Sequence, residues 1–441
     1  MTRKLIGAAR WALRAAVEAA AIGALSGLAA AAVRLFFRLL QWCVIGHAGM
    51  LPVAAEALPL WRRALTPALG GIAAMMVTFL VRRAAPRLHA AEYVEAVRFE
   101  EGRISLPATL WRTVSSAFSV ATGAPIGREG SMIQFAAAVV SFAGQRLRRL
   151  QLPLQDLVAC GVAAGVSAAY QAPAAGVFFA LEIVLGRFAW RTVAWLTVAA
   201  FAGEAASRIV LRGGPLYAVC GPTAVSVKCL AAAVALAALL GVLGPVYLWL
   251  LRSLRSAQHI PFPMLWSGAA AGAASLLTTR VWGNGDTALL SVLQAHPAFG
   301  ALALVLVLRL CTTVFCVGTG TVGGVFTPTL FVGGAVGLLL GQAAHGPHTL
   351  LFAVIGMGAL LAATTHAPCM ASLMTAELTG AWTIFPLVLL CNLLAWQIAR
   401  GLSRHSLYAI ASDLPAALPR PDLLPETAPD RESEVLPLAA D

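Results

Sequence analysis

Long apolar runs, broken by short charged or glycine- and proline-bearing joints, fill most of the chain. Residues 17–47, 64–81, 106–126, 130–145, 157–185, 192–203, 229–251, 263–279, 287–316, 325–343, 350–378 and 382–397 read as membrane segments. Residues 310–376, a stretch of 67 (376 − 310 + 1), hold no Asp, Glu, Lys or Arg. One helix needs only about 20 apolar residues to cross a bilayer, so several spans share this window. Its glycines and prolines predict short, broken helices, which a membrane permits only where the backbone lines a cavity or packs on protein.

One charged, glycine-rich stretch interrupts this pattern: Gly123-Ala124-Pro125-Ile126-Gly127-Arg128-Glu129-Gly130-Ser131. Its flanks are too apolar for an ordinary surface loop. Gly127 and Gly130 let backbone N–H groups approach a ligand, and the helix predicted to start there would present unpaired donors. The stretch therefore reads as an anion site at membrane depth, with a polar loop dipping under the headgroups as the plainer alternative. Glu129 is then either a competitor for the anion or a proton carrier, because an intramembrane acid is costly unless it is used. Desolvation favours its neutral form and the helix N-terminus its charged form.

Composition settles the class: 59% of the 441 residues are hydrophobic and 11% charged, with a mean hydropathy of +0.82. This excludes a soluble domain and predicts an all-α polytopic membrane protein. The net charge of +12 is spread over connecting segments and reads as topology, not nucleic-acid binding. Basic residues at both ends place both termini in the cytoplasm, with an even number of crossings. The eight cysteines lack metal-like spacing and read as packing residues, so neither a disulfide framework nor a metal or cofactor is expected. Arg3, Lys4, Arg10 and Arg14 precede a first membrane helix, not a cleaved signal. From residue 411 onward, six prolines and seven acids predict a short disordered tail.

The chain also repeats itself. Gly161 to Pro173, followed by Glu182, matches Gly356 to Pro368, followed by Glu377, at an offset of 195 (356 − 161). Arg112, Phe118, Gly123 and Gly127 match Arg309, Phe315, Gly320 and Gly324 at an offset of 197 (309 − 112). The Arg128-Glu129-Gly130 stretch thus corresponds to Val325-Phe326-Thr327. Paired halves with interrupted helices in corresponding places point to a transporter whose ion site lies between the repeats. Residues 1–220 and 221–410 are the expected halves, with 411–441 the tail.

These motifs resemble those of the CLC family of chloride channels and chloride/proton antiporters, of the bacterial type. Gly127-Arg128-Glu129-Gly130 is similar to the family's G-[KR]-E-G-P, and Gly324-Val325-Phe326-Thr327-Pro328 to its G-x-F-x-P. Tyr408 stands where the family places a pore tyrosine. The resemblance implies two inverted-topology repeats with broken and re-entrant helices and a homodimer in the bacterial inner membrane. It makes Glu129 the gate, has the amides of Arg128, Glu129, Gly130, Val325, Phe326 and Thr327 bind chloride, and has the Tyr408 hydroxyl donate to the central ion. Partial charges suit a conducted anion better than full ones, so Arg128 is expected to contribute its backbone while its side chain faces elsewhere.

The chain departs from the family in three places. Leu88 replaces the serine of G-S-G-I-P, which predicts a weaker or less selective central site. Ser131 replaces the proline of the gate motif and is expected to cap the helix there. Ile183 occupies the antiporters' inner proton relay, so either coupling is lost or water and another acid, such as Glu182, serve that path. Capping or pairing with an arginine is the structural reading of Glu182 and its mate Glu377. His89, His345, His348 and His366 are further titratable residues, each readable as a hydrogen-bonded packing residue. Chloride/proton exchange gated by Glu129 is the favoured expectation, moving chloride and related monovalent anions. Passive chloride conduction is the alternative, and fluoride/proton exchange a weaker one. No Ser-His pair or His-Glu cluster at helical spacing suggests an intramembrane enzyme.

Overall fold

The computed structural model describes residues 2–47, 49–85, 91–147, 150–211, 216–217, 227–295, 297–344 and 349–411. Leu88, His89, His345, His348, Cys220 and the tail beyond Ala411 lie outside them. Ala411 itself ends the helix Leu407–Ala411 and so falls before the expected tail. Among the described residues every regular element is helical, and a single isolated bridge joins Gly127 to Gly324.

The two repeats are legible in the helix ends. Glu129–Arg146 and Phe326–Ala343 are related by 197 residues at both ends, and Leu154–Tyr170 and Thr349–Thr365 by 195. Each of the latter pair stops at a left-handed residue, Gln171 (φ 56°) or His366 (φ 59°), ahead of Ala-Pro. The residue before proline disfavours helical backbone, so the turn falls at the same place in both halves. Hence the expected segments 157–185 and 350–378 are each two helices: Pro173–Phe179, continued by the π turn Ala180–Leu185, and Pro368–Thr379 are the second members. Segment 287–316 likewise divides, into Asp286–Gln294 and Phe299–Gly318, around Pro297.

Small residues set the packing, as they do where lipid supplies no hydrophobic drive between helices. Gly23 and Gly27 of the helix Thr2–Ile45 lie against the backbone of Ala199 and Gly203 of Trp190–Leu211, with no room for a Cβ at either glycine. Among the described residues seven helices are long and apolar enough to cross a membrane. The shorter apolar helices Leu154–Tyr170, Pro173–Leu185 and Thr349–Thr365 surround the place where the repeats meet.

Candidate functional site

At that meeting point the two glycine-rich stretches run antiparallel. Gly127 N donates to Gly324 O at 2.6 Å, and Gly324 N to Gly127 O at 2.7 Å. This pairing brings the N-termini of Glu129–Arg146 and Phe326–Ala343 together, and neither carries a side-chain cap. Free N–H donors and the positive ends of two helices therefore converge. A cavity of about 130 Å³ opens there, lined by Glu129, Gly130, Val325, Phe326 and Tyr408 and also by Glu92 and Tyr93. Phe179 packs edge-on to Tyr408 with ring centroids 5.4 Å apart, and Tyr170 stands 5.0 Å from Phe326, which gives the cavity aromatic walls.

Glu129 is 5% exposed. Its Oε1 accepts a hydrogen bond from Asn284 Nδ2, and Arg128 Nε lies 3.9 Å from the same oxygen. Oε2 has no hydrogen-bond partner and lies over Gly127, where a side chain would collide with it. The Arg128 guanidinium turns away from the cavity that holds Tyr408 and pairs with Asp286 at 3.2 Å. Tyr217 donates to the other Asp286 oxygen at 2.8 Å. Arg128, Asn284, Asp286 and Tyr217 line a second cavity of about 280 Å³. The Glu129–Asn284 contact thus stands between the two spaces. Arg309, 1% exposed, holds the loop bearing Asn284 by donating to the carbonyls of Arg280, Val281 and Gly283 at 2.8–3.0 Å.

The remaining expected residues are placed unequally. Ser131 does not cap its helix; its hydroxyl donates to Ser116 Oγ at 2.9 Å and ties Glu129–Arg146 to Leu106–Ala121. Thr327 is fully buried, with its hydroxyl 3.4 Å from that of Tyr170. Ile183 is buried, and Arg98 donates to its carbonyl at 2.7 Å. Glu182 accepts from the amides of Cys369 (3.3 Å) and Met370 (2.7 Å), the first turn of Pro368–Thr379. Glu377 accepts from the amides of Ala174 (3.0 Å) and Ala175 (2.8 Å), the first turn of Pro173–Phe179. The helix-capping geometry holds for both.

Sequence reasoning passed over four residues that the fold brings in. Asn284 gave no signal beyond a Gly-Asn-Gly turn. Arg34 lay inside an apolar run. Tyr93 and Glu92 follow the departed G-S-G-I-P position. The Tyr93 amide donates to Gln134 Oε1 at 2.9 Å, and its hydroxyl shares a hydrogen bond with Tyr408. Glu92 accepts from Arg112 at 3.1 Å.

The family described as voltage gated chloride channel matches residues 70–400. A ClcB-like protein of Ralstonia nicotianae is 39% identical over 88% of this chain and 94% of its own length. The voltage-gated ClC-type chloride channel ClcB of an Escherichia coli O157:H7 strain is 36% identical over 88% of this chain and 96% of its own. Solved structures share the fold. A slow cyanobacterial Cl−/H+ antiporter has a TM-score of 0.80 at 23% identity, covering 91% of this chain and 97% of that one. A CLC-type fluoride/proton antiporter has a TM-score of 0.72 at 22% identity, covering 88% and 95%.

Proposed function

The chain belongs to the voltage gated chloride channel family, and is a multi-pass membrane protein of that family; from this premise we propose that it exchanges chloride for protons, with Glu129 as gate and proton carrier. The observation that carries the reading is the position of Glu129: a buried carboxylate at a helix N-terminus, between two cavities, one of which Tyr408 lines. A carboxylate there occupies the place of an anion, and must be protonated or displaced before chloride passes.

In this reading the cavity lined by Tyr408 is the inner one and the cavity lined by Arg128 and Asn284 the outer one, and the amides of Glu129, Gly130, Val325 and Phe326 and the Tyr408 hydroxyl hold chloride in the inner cavity. The amides of Arg128 and Thr327 complete the two helix ends. Other monovalent anions use the same donors. The inner proton acceptor is Glu92, which lines the cavity that Glu129 also lines, while Glu182 is engaged as a cap. The membrane halves are 1–220 and 221–410. The protein works as a homodimer in the bacterial inner membrane with both termini cytoplasmic, and it performs no covalent chemistry.

Uncoupled chloride conduction is the second reading, favoured by the apolar Ile183 at the relay position. Liposomes holding a chloride gradient and an internal pH probe separate the two. Exchange drives protons against their own gradient; conduction moves chloride and leaves internal pH to follow the voltage.

A further inference from the structure

We infer that the outer cavity is a second anion-binding site, built by Arg34, Arg38 and Arg128, which receives the transported anion before it meets Glu129. The inference rests on the chloride-transport reading above and extends it to the approach path.

Three guanidiniums from two separate parts of the chain line this space. Arg34 and Arg38 lie one turn apart on the helix Thr2–Ile45, and Arg128 precedes the gate helix. Arg34 is 7% exposed, and its Nε has no hydrogen-bond partner. Among the described residues no carboxylate comes within ion-pair distance of it. The one acid lining the cavity, Asp286, already uses both oxygens, on Arg128 and on the Tyr217 hydroxyl. Gln41, which also lines the space, directs its amide to the carbonyl of Gly49 at 2.9 Å.

A buried guanidinium without a direct ion-pair partner is unfavourable, and the walls supplied by Leu51, Trp282 and Leu290 keep the local dielectric low. Three positive groups against two carboxylates, Asp286 in the cavity and Glu129 beside Arg128, leave one positive charge that a small mobile anion balances. Facing charges of one sign in such a cleft also raise the local concentration of counter-ions. Asn284 lines this cavity and bonds Glu129, so an anion held here is adjacent to the gate without occupying the Tyr408 space.

The test uses bromide as a probe in crystals of the full chain, together with chloride flux from liposomes in which the outer face is varied. The expected result is an anomalous bromide peak beside Arg34 that Arg34→Gln removes. In flux, Arg34→Gln raises the half-saturating chloride on that face about tenfold, more than it lowers the maximal rate, and Arg34→Lys recovers part of the effect. Arg38→Gln carries the same measurements should Arg34→Gln fail to fold. No bromide beside Arg34, or bromide there with unchanged half-saturation in both variants, overturns the site. Absence of chloride flux from the wild type would instead overturn the transport reading, and the bromide peak reports on the cavity independently of it.

Discussion

Glu182 and Glu377 each cap the N-terminus of the helix that leads to the other, across an interval of 195 residues (377 − 182). A carboxylate on two amides of a first helical turn satisfies orphan donors and favours the helix dipole. The pseudo-symmetry gives every experiment on Glu182 its own control. Glu182→Ala and Glu377→Ala should each destabilise the protein by about 1–2 kcal/mol, as loss of a cap does, and thermal melting in detergent checks it. Glu182→Gln should leave proton coupling as Glu377→Gln leaves it. Loss of coupling in Glu182→Gln alone would restore Glu182 as a proton relay.

Glu92 is the acid expected to carry protons between the inner solution and Glu129. It shares a cavity with the gate and accepts a hydrogen bond from Arg112, which holds its carboxyl group at the cavity wall. Glu92→Gln should therefore slow proton movement at least severalfold while chloride continues to pass. Simultaneous chloride and proton flux records measure the ratio. An unchanged ratio would leave a water path past Ile183 as the inner route.

Asn284 donates to the ionised form of the gate. Its replacement by leucine removes that donor, so the carboxylate takes up a proton with less acid. The pH profile of chloride flux in Asn284→Leu should move to higher pH, the direction set by the loss of a bond to the charged form. A profile that stays in place, or moves to lower pH, would show that this bond does not hold the gate.

Much of this site could be read before the fold was known, for local reasons. Gly127-Arg128-Glu129-Gly130 and its partner Gly324-Val325-Phe326 are contiguous, and glycine beside charge inside an apolar run has few explanations. The repeat offsets placed helix ends because Gln171-Ala172-Pro173 and His366-Ala367-Pro368 encode one turn twice. The 287–316 run hid its division because both sides of Pro297 are apolar. Asn284 and Arg34 were not legible, since each matters through what the fold sets beside it from far along the chain: Asn284 reaches Glu129 across 155 residues, and Arg34 lines one cavity with Arg128. Ser131 misled because a cap and an interhelical hydroxyl bond ask for the same residue type, and only the neighbouring Ser116 decides between them.

Selectivity tests the replacement of the missing serine donor. The Tyr93 hydroxyl, bonded to that of Tyr408, stands in the inner cavity although Leu88 supplies no hydroxyl. Larger monovalent anions should compete with chloride better than in relatives that carry G-S-G-I-P, and Tyr93→Phe should widen that tolerance further, about threefold to tenfold for one hydrogen bond of ordinary strength. Competition flux with nitrate and thiocyanate measures it. Unchanged anion ranking in Tyr93→Phe would remove Tyr93 from the site.

The central claim is that Glu129 is both the anion's competitor and the proton's carrier, and coupled flux through Glu129→Ala in liposomes tests it most directly. Alanine takes away the charge and the titratable group together. The account predicts chloride movement that persists, no longer depends on pH, and drives no protons against their gradient. Coupled proton transport retained in Glu129→Ala would contradict it.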